Sequence, residues 1–231
     1  AKRLWLIYFG YTAAETLFLK LAGMSFFDAL NHSMSTLSTG GFSTKNASLA
    51  HWNDTPLIQY IVVLFMFLAG TNFVLSYFGF KANFSKIYKD EEFKLYGIFL
   101  IVFTVITALV MYYNSVFSTA SSFNHPLVFG EIEACLRHAL FQVVAIVTTT
   151  GFVSADFLHW PYFLVVFFFG LMFLVGSSGC TSGGVKVVRH LVLSRNGFLV
   201  FKRALHSNAV LQVRYNSTPI TGVLVFTVRG F

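Results

Sequence analysis

Charge is scarce in this sequence. Of 231 residues only 16 are Lys or Arg and 9 are Asp or Glu, 11% together, against roughly 25% in a soluble domain. So few charges cannot cover a soluble core when 56% of the residues are hydrophobic and 29 are phenylalanine. A disordered chain and an ordinary cytosolic enzyme are excluded. Cysteine is nearly missing as well. Cys135 and Cys180 stand 45 residues apart with no second cysteine near either, which leaves no zinc motif and no disulfide framework. No cleavable signal peptide is visible, because Ala1, Lys2 and Arg3 lead straight into an apolar stretch without a small-residue cleavage site. So abrupt an opening reads as a cut inside a longer protein. The net charge of +7 does not mark nucleic-acid binding, since the basic residues cluster between apolar spans and not along helical faces. What remains is an all-α integral membrane protein.

Several stretches are long enough to cross a hydrocarbon core of roughly 30 Å, which takes about 20 helical residues. They run from Leu4 to Gly23 (interrupted by Glu15 and Lys20), from Pro56 to Phe80 without any charge, from Leu95 to Phe117, and from Trp160 to Val175. After the last comes Gly176, Ser177, Ser178, Gly179, Cys180, Thr181, Ser182, Gly183 and Gly184, then an amphipathic piece from Val185 to Val200. A final apolar run starts at Ile220. Two further segments, Ser25 to Leu37 and Glu131 to Val147, are apolar but too short or too polar to span, and each ends in a Thr/Gly-rich turn. Such backbone persists at membrane depth only where protein buries it or water reaches it. Both are expected to be re-entrant helices followed by an extended loop.

Basic residues set the orientation. Lys81, Lys86, Lys89 and Lys94 lie between the second and third spans, and Lys186, Arg189, Arg195, Lys202, Arg203 and Arg214 follow the fourth. The regions with the re-entrant segments hold only Lys45 and Arg137. This asymmetry puts the re-entrant loops outside and the basic loops in the cytoplasm.

The chain also repeats itself. At a shift of 110 residues, Ala29 and Leu30 fall on Ala139 and Leu140, Ser38 to Phe42 on Thr148 to Phe152, and Thr44 on Ser154. A His-Trp pair recurs as His51-Trp52 and His159-Trp160, each followed by a proline that opens the next span. The expected organisation is a helix–pore-loop–helix unit over 1–80, a cytoplasmic loop over 81–94, and a second unit with a broken inner helix over 95–200. A cytoplasmic linker over 201–218 and the start of a further unit over 219–231 complete it.

A Thr-x-Gly-Phe loop after a short re-entrant helix suits a dehydrated cation. Glycine lets carbonyl oxygens turn toward an axis, and threonine adds a hydroxyl. The helix C-terminus, carrying about half a negative charge, points at the same place. No carboxylate is needed, and neither loop core contains one.

The run from Met34 to Thr44, the Thr148 to Phe152 segment, and the run from Gly179 to Arg189 together resemble the Trk/Ktr/HKT cation transporter superfamily, with the closest likeness to its bacterial TrkH branch. The resemblance implies four non-identical helix–pore-loop–helix repeats around one pore, of which this chain holds the second, the third and the start of the fourth. It implies potassium transport, with K+ as cargo and no covalent cofactor. The filter positions it implies are Ser38, Thr39, Gly40 and Gly41, and Thr148, Thr149, Thr150 and Gly151. The run Gly176 to Gly184 becomes an intramembrane gate loop, with Lys186 and Arg189 as regulatory contacts. A homodimer in the bacterial inner membrane and a cytosolic nucleotide-binding regulatory subunit of the TrkA/KtrA type are implied as well. The protein is then no enzyme.

The alternative is an intramembrane serine protease. Gly176-Ser177-Ser178-Gly179 resembles the rhomboid motif, with Ser178 as nucleophile, but a base must lie within hydrogen-bond reach. His190 is 12 residues downstream, roughly 18 Å along a helix. A phosphate-binding loop over Gly179 to Lys186 fails because Val185 stands where lysine should follow the last glycine. Alternating access predicts an inverted repeat, and this repeat is parallel. Glu15, mid-span, is a candidate functional carboxylate or a contact for a neighbouring helix or Lys20. Asn72 is expected to form an interhelical hydrogen bond.

Overall fold

The computed structural model describes residues 2–81, 83–117, 130–157, 160–174, 176–205, 214–215 and 218–219. Among the described residues the regular structure is helical apart from a minimal antiparallel hairpin, β1 (Arg214–Tyr215) with β2 (Thr218–Pro219). His125, the second His-Trp pair's His159, His206 and the apolar run from Ile220 lie outside the described residues.

The first unit opens with α1 (Lys2–Leu21) and a turn into α2 (Phe26–Leu37). Ser25 starts α2 by accepting a hydrogen bond from the Asp28 amide at 3.1 Å. Asp28 itself sits in the first turn, where a carboxylate complements the exposed amides. A 3-10 turn at Ser48–Trp52 leads to α3 (Pro56–Ala69), with Pro56 in the first helical turn, where its missing N–H costs nothing.

The charge-free second span is not one straight helix. It bends by 111° between α3 and α4 (Phe73–Phe80). Thr71 turns its hydroxyl back to the Leu68 carbonyl at 2.7 Å, and Asn72 accepts from the Val74 amide at 2.8 Å. Asn72 is therefore the N-cap of α4, and the expected interhelical bond gives way to a local one.

α5 (Phe84–Lys89) links to the second unit, which begins with α6 (Glu91–Phe117), the one described helix both long and apolar enough to cross a bilayer unaided. α7 (Glu131–Val147) packs between α6 and α3. The expected fourth span is shorter than its apolar run, because α8 covers only Tyr162–Leu171 before the chain unwinds. Helix resumes as α9 (Val187–Leu205).

Burial separates the helices by role. α7 buries Ala134, Cys135, Arg137 and every residue but Leu140 from His138 to Val147, so it is wrapped by protein. α1, α6 and α8 turn large apolar side chains outward, among them Leu6, Phe9, Ile98, Ile101, Phe163 and Phe169. A soluble monomer does not expose so much apolar surface, and a bilayer-facing belt does. Arg137 is not a solvated loop charge. Its side chain is 1% exposed, and it donates to Glu133 at 2.9 Å and to Gln59 of α3. Glu15 is fully buried beside Thr36 of α2, and Lys20 is not its partner, since that ammonium lies 5.6 Å from the centre of the Phe26 ring.

Candidate functional site

α2 and α7 end in the same way. The Ser38 and Thr148 amides close on Met34 and Val144, at 3.1 and 2.9 Å, and the Thr39 and Thr149 amides on Thr36 and Ile146, both at 3.0 Å. The backbone then turns left-handed at matching positions: φ is 52° at Thr39 and 56° at Thr149, then 68° at Gly41 and 79° at Gly151. A β-branched residue with positive φ is a genuine outlier, costing about 1–2 kcal/mol. Its presence twice, at positions related by the repeat, makes it a property of the loop design. Strain of this kind collects at ligand sites.

The two loops lie against each other. A Cβ at Gly41 would stand 1.9 Å from the Thr150 carbonyl oxygen, so only glycine fits there. The His32 ring of α2 stacks on Phe152 of the other loop at 5.8 Å, and the Ala50 amide donates to the Val153 carbonyl at 3.1 Å. Thr148 and Thr150 are buried, and their hydroxyls bond each other at 2.8 Å. Those hydroxyls are occupied behind the loop. Gly40 and Gly151, by contrast, are exposed.

Among the described residues no three His, Cys, Asp or Glu side chains could hold a metal ion together. Carbonyl and hydroxyl oxygens are what these loops offer a cation.

The stretch from Gly176 to Gly184 forms a closed loop, its ends joined by a hydrogen bond from the Val187 amide to the Gly176 carbonyl at 3.4 Å. It is anchored on both units. The Gly176 amide donates to the Val147 carbonyl at 3.0 Å, and the Ser177 amide takes the Gly70 carbonyl, freed by the α3–α4 bend, at 2.9 Å. From the two Thr/Gly loops, the Thr39 hydroxyl donates to the Thr181 carbonyl at 3.2 Å, and the Gly183 amide donates to the Thr149 hydroxyl at 3.0 Å. The two left-handed threonines thus both touch this loop. Lys186 folds back onto it, donating to the Ser182 carbonyl and lying 3.4 Å from Cys180 Sγ. Arg189 sits on the first turn of α9, half-buried.

Ser178 is not a nucleophile. Its hydroxyl donates to Glu92 at 2.7 Å, while His190 bonds the Phe173 carbonyl at 3.0 Å. Neither the nucleophile nor the proposed base faces the other, and the protease alternative is not supported.

Sequence reasoning missed Glu92, which lies three residues before the expected start of the third span. It also missed Gly70, Asp28 and His138 as parts of the site. The last two were within reach, because the shift that aligns the loops also sets Asp28 on His138.

Two helix–loop units related by the 110-residue shift, each closing a helix with a left-handed Thr/Gly loop, inside a helical fold that turns large apolar side chains outward, define the class: an all-α membrane protein. The comparisons agree. The family model TrkH, described as a cation transport protein, matches residues 1–228. The chain belongs to the TrkH family, whose members are transporters and not enzymes. The Trk system potassium uptake protein TrkH of Salmonella typhimurium is 35% identical over 232 residues, covering all of this chain and 45% of that protein. The Trk system potassium uptake protein TrkI of Halomonas elongata is 32% identical over 236 residues, again across all of this chain and 45% of that protein. The crystal structure of the potassium transporter TrkH from Vibrio parahaemolyticus matches with a TM-score of 0.87 and 32% identity, over 99% of this chain and 47% of that one. The chain spans about half the length of the curated relatives it matches.

Proposed function

We propose that this chain supplies two of the pore-forming repeats, 1–80 and 95–200, of a potassium-translocating subunit in a bacterial inner membrane. Ser38 to Gly41 and Thr148 to Gly151 form two sides of a selectivity filter that holds K+ through oxygen atoms, and conduction through it is passive. The Gly176–Gly184 loop is the gate. One observation carries the gate reading: the loop bonds Thr39 of one filter strand and Thr149 of the other. A segment so placed blocks ions sterically, without any charge of its own. The lysine-rich and arginine-rich side meets a cytosolic nucleotide-binding regulatory subunit of the TrkA/KtrA type, with Lys186 and Arg189 at the junction, and the full subunit works as a homodimer.

Potassium-dependent growth of a transport-deficient cell expressing the full-length protein tests the transport reading. Shortening the Gly176–Gly184 loop by three or four residues tests the gate. Flux should rise, or escape the regulatory subunit, with selectivity retained. Flux and regulation equal to the parent would leave the loop as a structural kink.

A further inference from the structure

Each filter strand is tied to its own re-entrant helix by a side-chain pair, and the two pairs occupy equivalent positions in the repeat. In the first unit Thr44 Oγ1 donates to Asp28 Oδ1 at 2.6 Å. In the second, His138 Nδ1 and Ser154 Oγ are 2.9 Å apart. Adding 110 to 28 and 44 gives 138 and 154, the shift that superposes the loops. The residue types differ and the connection is the same.

Both ties join the strand after the Thr/Gly loop to the first half of the helix before it. Asp28 is in the first turn of α2 and His138 in the second turn of α7, while Thr44 and Ser154 each follow the left-handed glycine by three residues. The strand between tie and helix end therefore has fixed limits at both sides. In the first unit Asp28 is further held by the Ser25 hydroxyl at 2.8 Å and by Lys45 at 3.7 Å. Asp28 is 8% exposed, and His138 and Ser154 are fully buried. Buried polar groups without partners are costly, so these pairs hold their geometry.

We propose that Asp28–Thr44 and His138–Ser154 are paired braces that set the width of the filter, which makes Asp28, Thr44, His138 and Ser154 positioning residues for ion selectivity. They do not touch the ion. They fix how far the carbonyl oxygens between Thr39 and Gly41, and between Thr149 and Gly151, stand from the axis, and a loosened strand adjusts to a smaller cation. The inference rests on the filter reading above.

The test uses the full-length protein in liposomes, with K+ and Na+ flux measured separately. Thr44→Val and Ser154→Ala each remove one brace, whereas Thr44→Ser and Ser154→Thr keep the hydroxyl. The K+/Na+ flux ratio should fall about fivefold in each of the first two, the equivalent of roughly 1 kcal/mol for one hydrogen bond. It should return close to the parent value in the conservative pair, which a loss of fold alone would not predict. Thr44 is exposed, so Thr44→Val decides the matter even if the buried Ser154→Ala fails to accumulate. An unchanged ratio in Thr44→Val overturns the braces. Gly41→Ala in the same assay separates the two levels: if it lowers the ratio and Thr44→Val does not, the braces fail alone. If neither does, the filter assignment fails with them.

Discussion

Glu92 and Ser178, 86 residues apart, are joined twice: the Ser178 amide donates to Glu92 Oε1 at 2.5 Å and its hydroxyl to Oε2 at 2.7 Å. Glu92 belongs to α6 and Ser178 to the Gly176–Gly184 loop, so the outer helix of the second unit grips that loop directly. Its neighbour Glu91 holds Arg195 of α9 at 2.7 Å, fixing the helix into which the loop runs. One turn of α6 thereby anchors the loop and its continuation.

Loosening that grip should loosen the gate. Glu92→Gln removes the charge and one of two acceptors, and a hydrogen bond to a charged group is worth about 1.5–3 kcal/mol. Basal K+ flux of the full-length protein, without its regulatory partner, should rise by about tenfold. Selectivity should stay intact, because no residue of the proposed filter is touched. Flux assays in liposomes check both.

The two loop glycines should not respond alike. At Gly41 a Cβ would sit 1.9 Å from the Thr150 carbonyl oxygen, so alanine must displace backbone of the other unit. At Gly151 nothing lies within 4 Å, and alanine meets only the penalty of a positive φ, about 1–2 kcal/mol. Gly41→Ala should lose K+/Na+ discrimination severely, and Gly151→Ala modestly, at comparable expression. Flux ratios of the two variants measure the difference.

Removing Arg137 should destabilise the fold more than its single charge suggests. The side chain bridges Glu133 and Gln59 inside the protein, and Glu133 also accepts from Tyr60 at 2.8 Å. Arg137→Ala leaves the partly exposed Glu133 without its counter-charge and Gln59 without its donor, a loss of about 1.5–3 kcal/mol. The expected result is a lower melting temperature in detergent, seen by size-exclusion after heating. Tyr60→Phe, at the edge of the same cluster, should shift it far less.

The chain alone should not make a selective pathway. A filter needs oxygen atoms on all sides of the ion, and two loops surround half of it. Purified into liposomes without the remaining repeats, these 231 residues should show no K+ flux above Na+ flux. Selective flux would mean that copies assemble to complete the ring.

Much of this arrangement is local chemistry and was legible residue by residue. Ser25 before an apolar run marks the start of α2. Gly130, followed by two acidic residues, opens α7. Four glycines within Gly176–Gly184, each disfavouring helix by about 1 kcal/mol relative to alanine, mark an unwound stretch, but the helix before it already ends at Leu171, short of the expected Val175. The shift of 110 residues exposed the loops because it compares the chain with itself.

What the sequence determined by itself is thus the alternation of apolar spans, short apolar helices and Thr/Gly loops, since propensity and glycine act over a few neighbouring residues. Only the tertiary structure decided the rest. The bend at Gly70 costs a single glycine in an apolar run, too weak a signal to break a helix. The packing requires glycine there, because a Cβ would meet the Tyr96 hydroxyl at 2.5 Å, and the Ser177 amide takes up the carbonyl the bend releases. Glu92 reads as a polar residue ahead of a span until Ser178 arrives beside it. Partners dozens of residues apart leave no mark on local pattern, and it is packing in three dimensions that brings the Gly176–Gly184 loop onto Thr39 and Thr149.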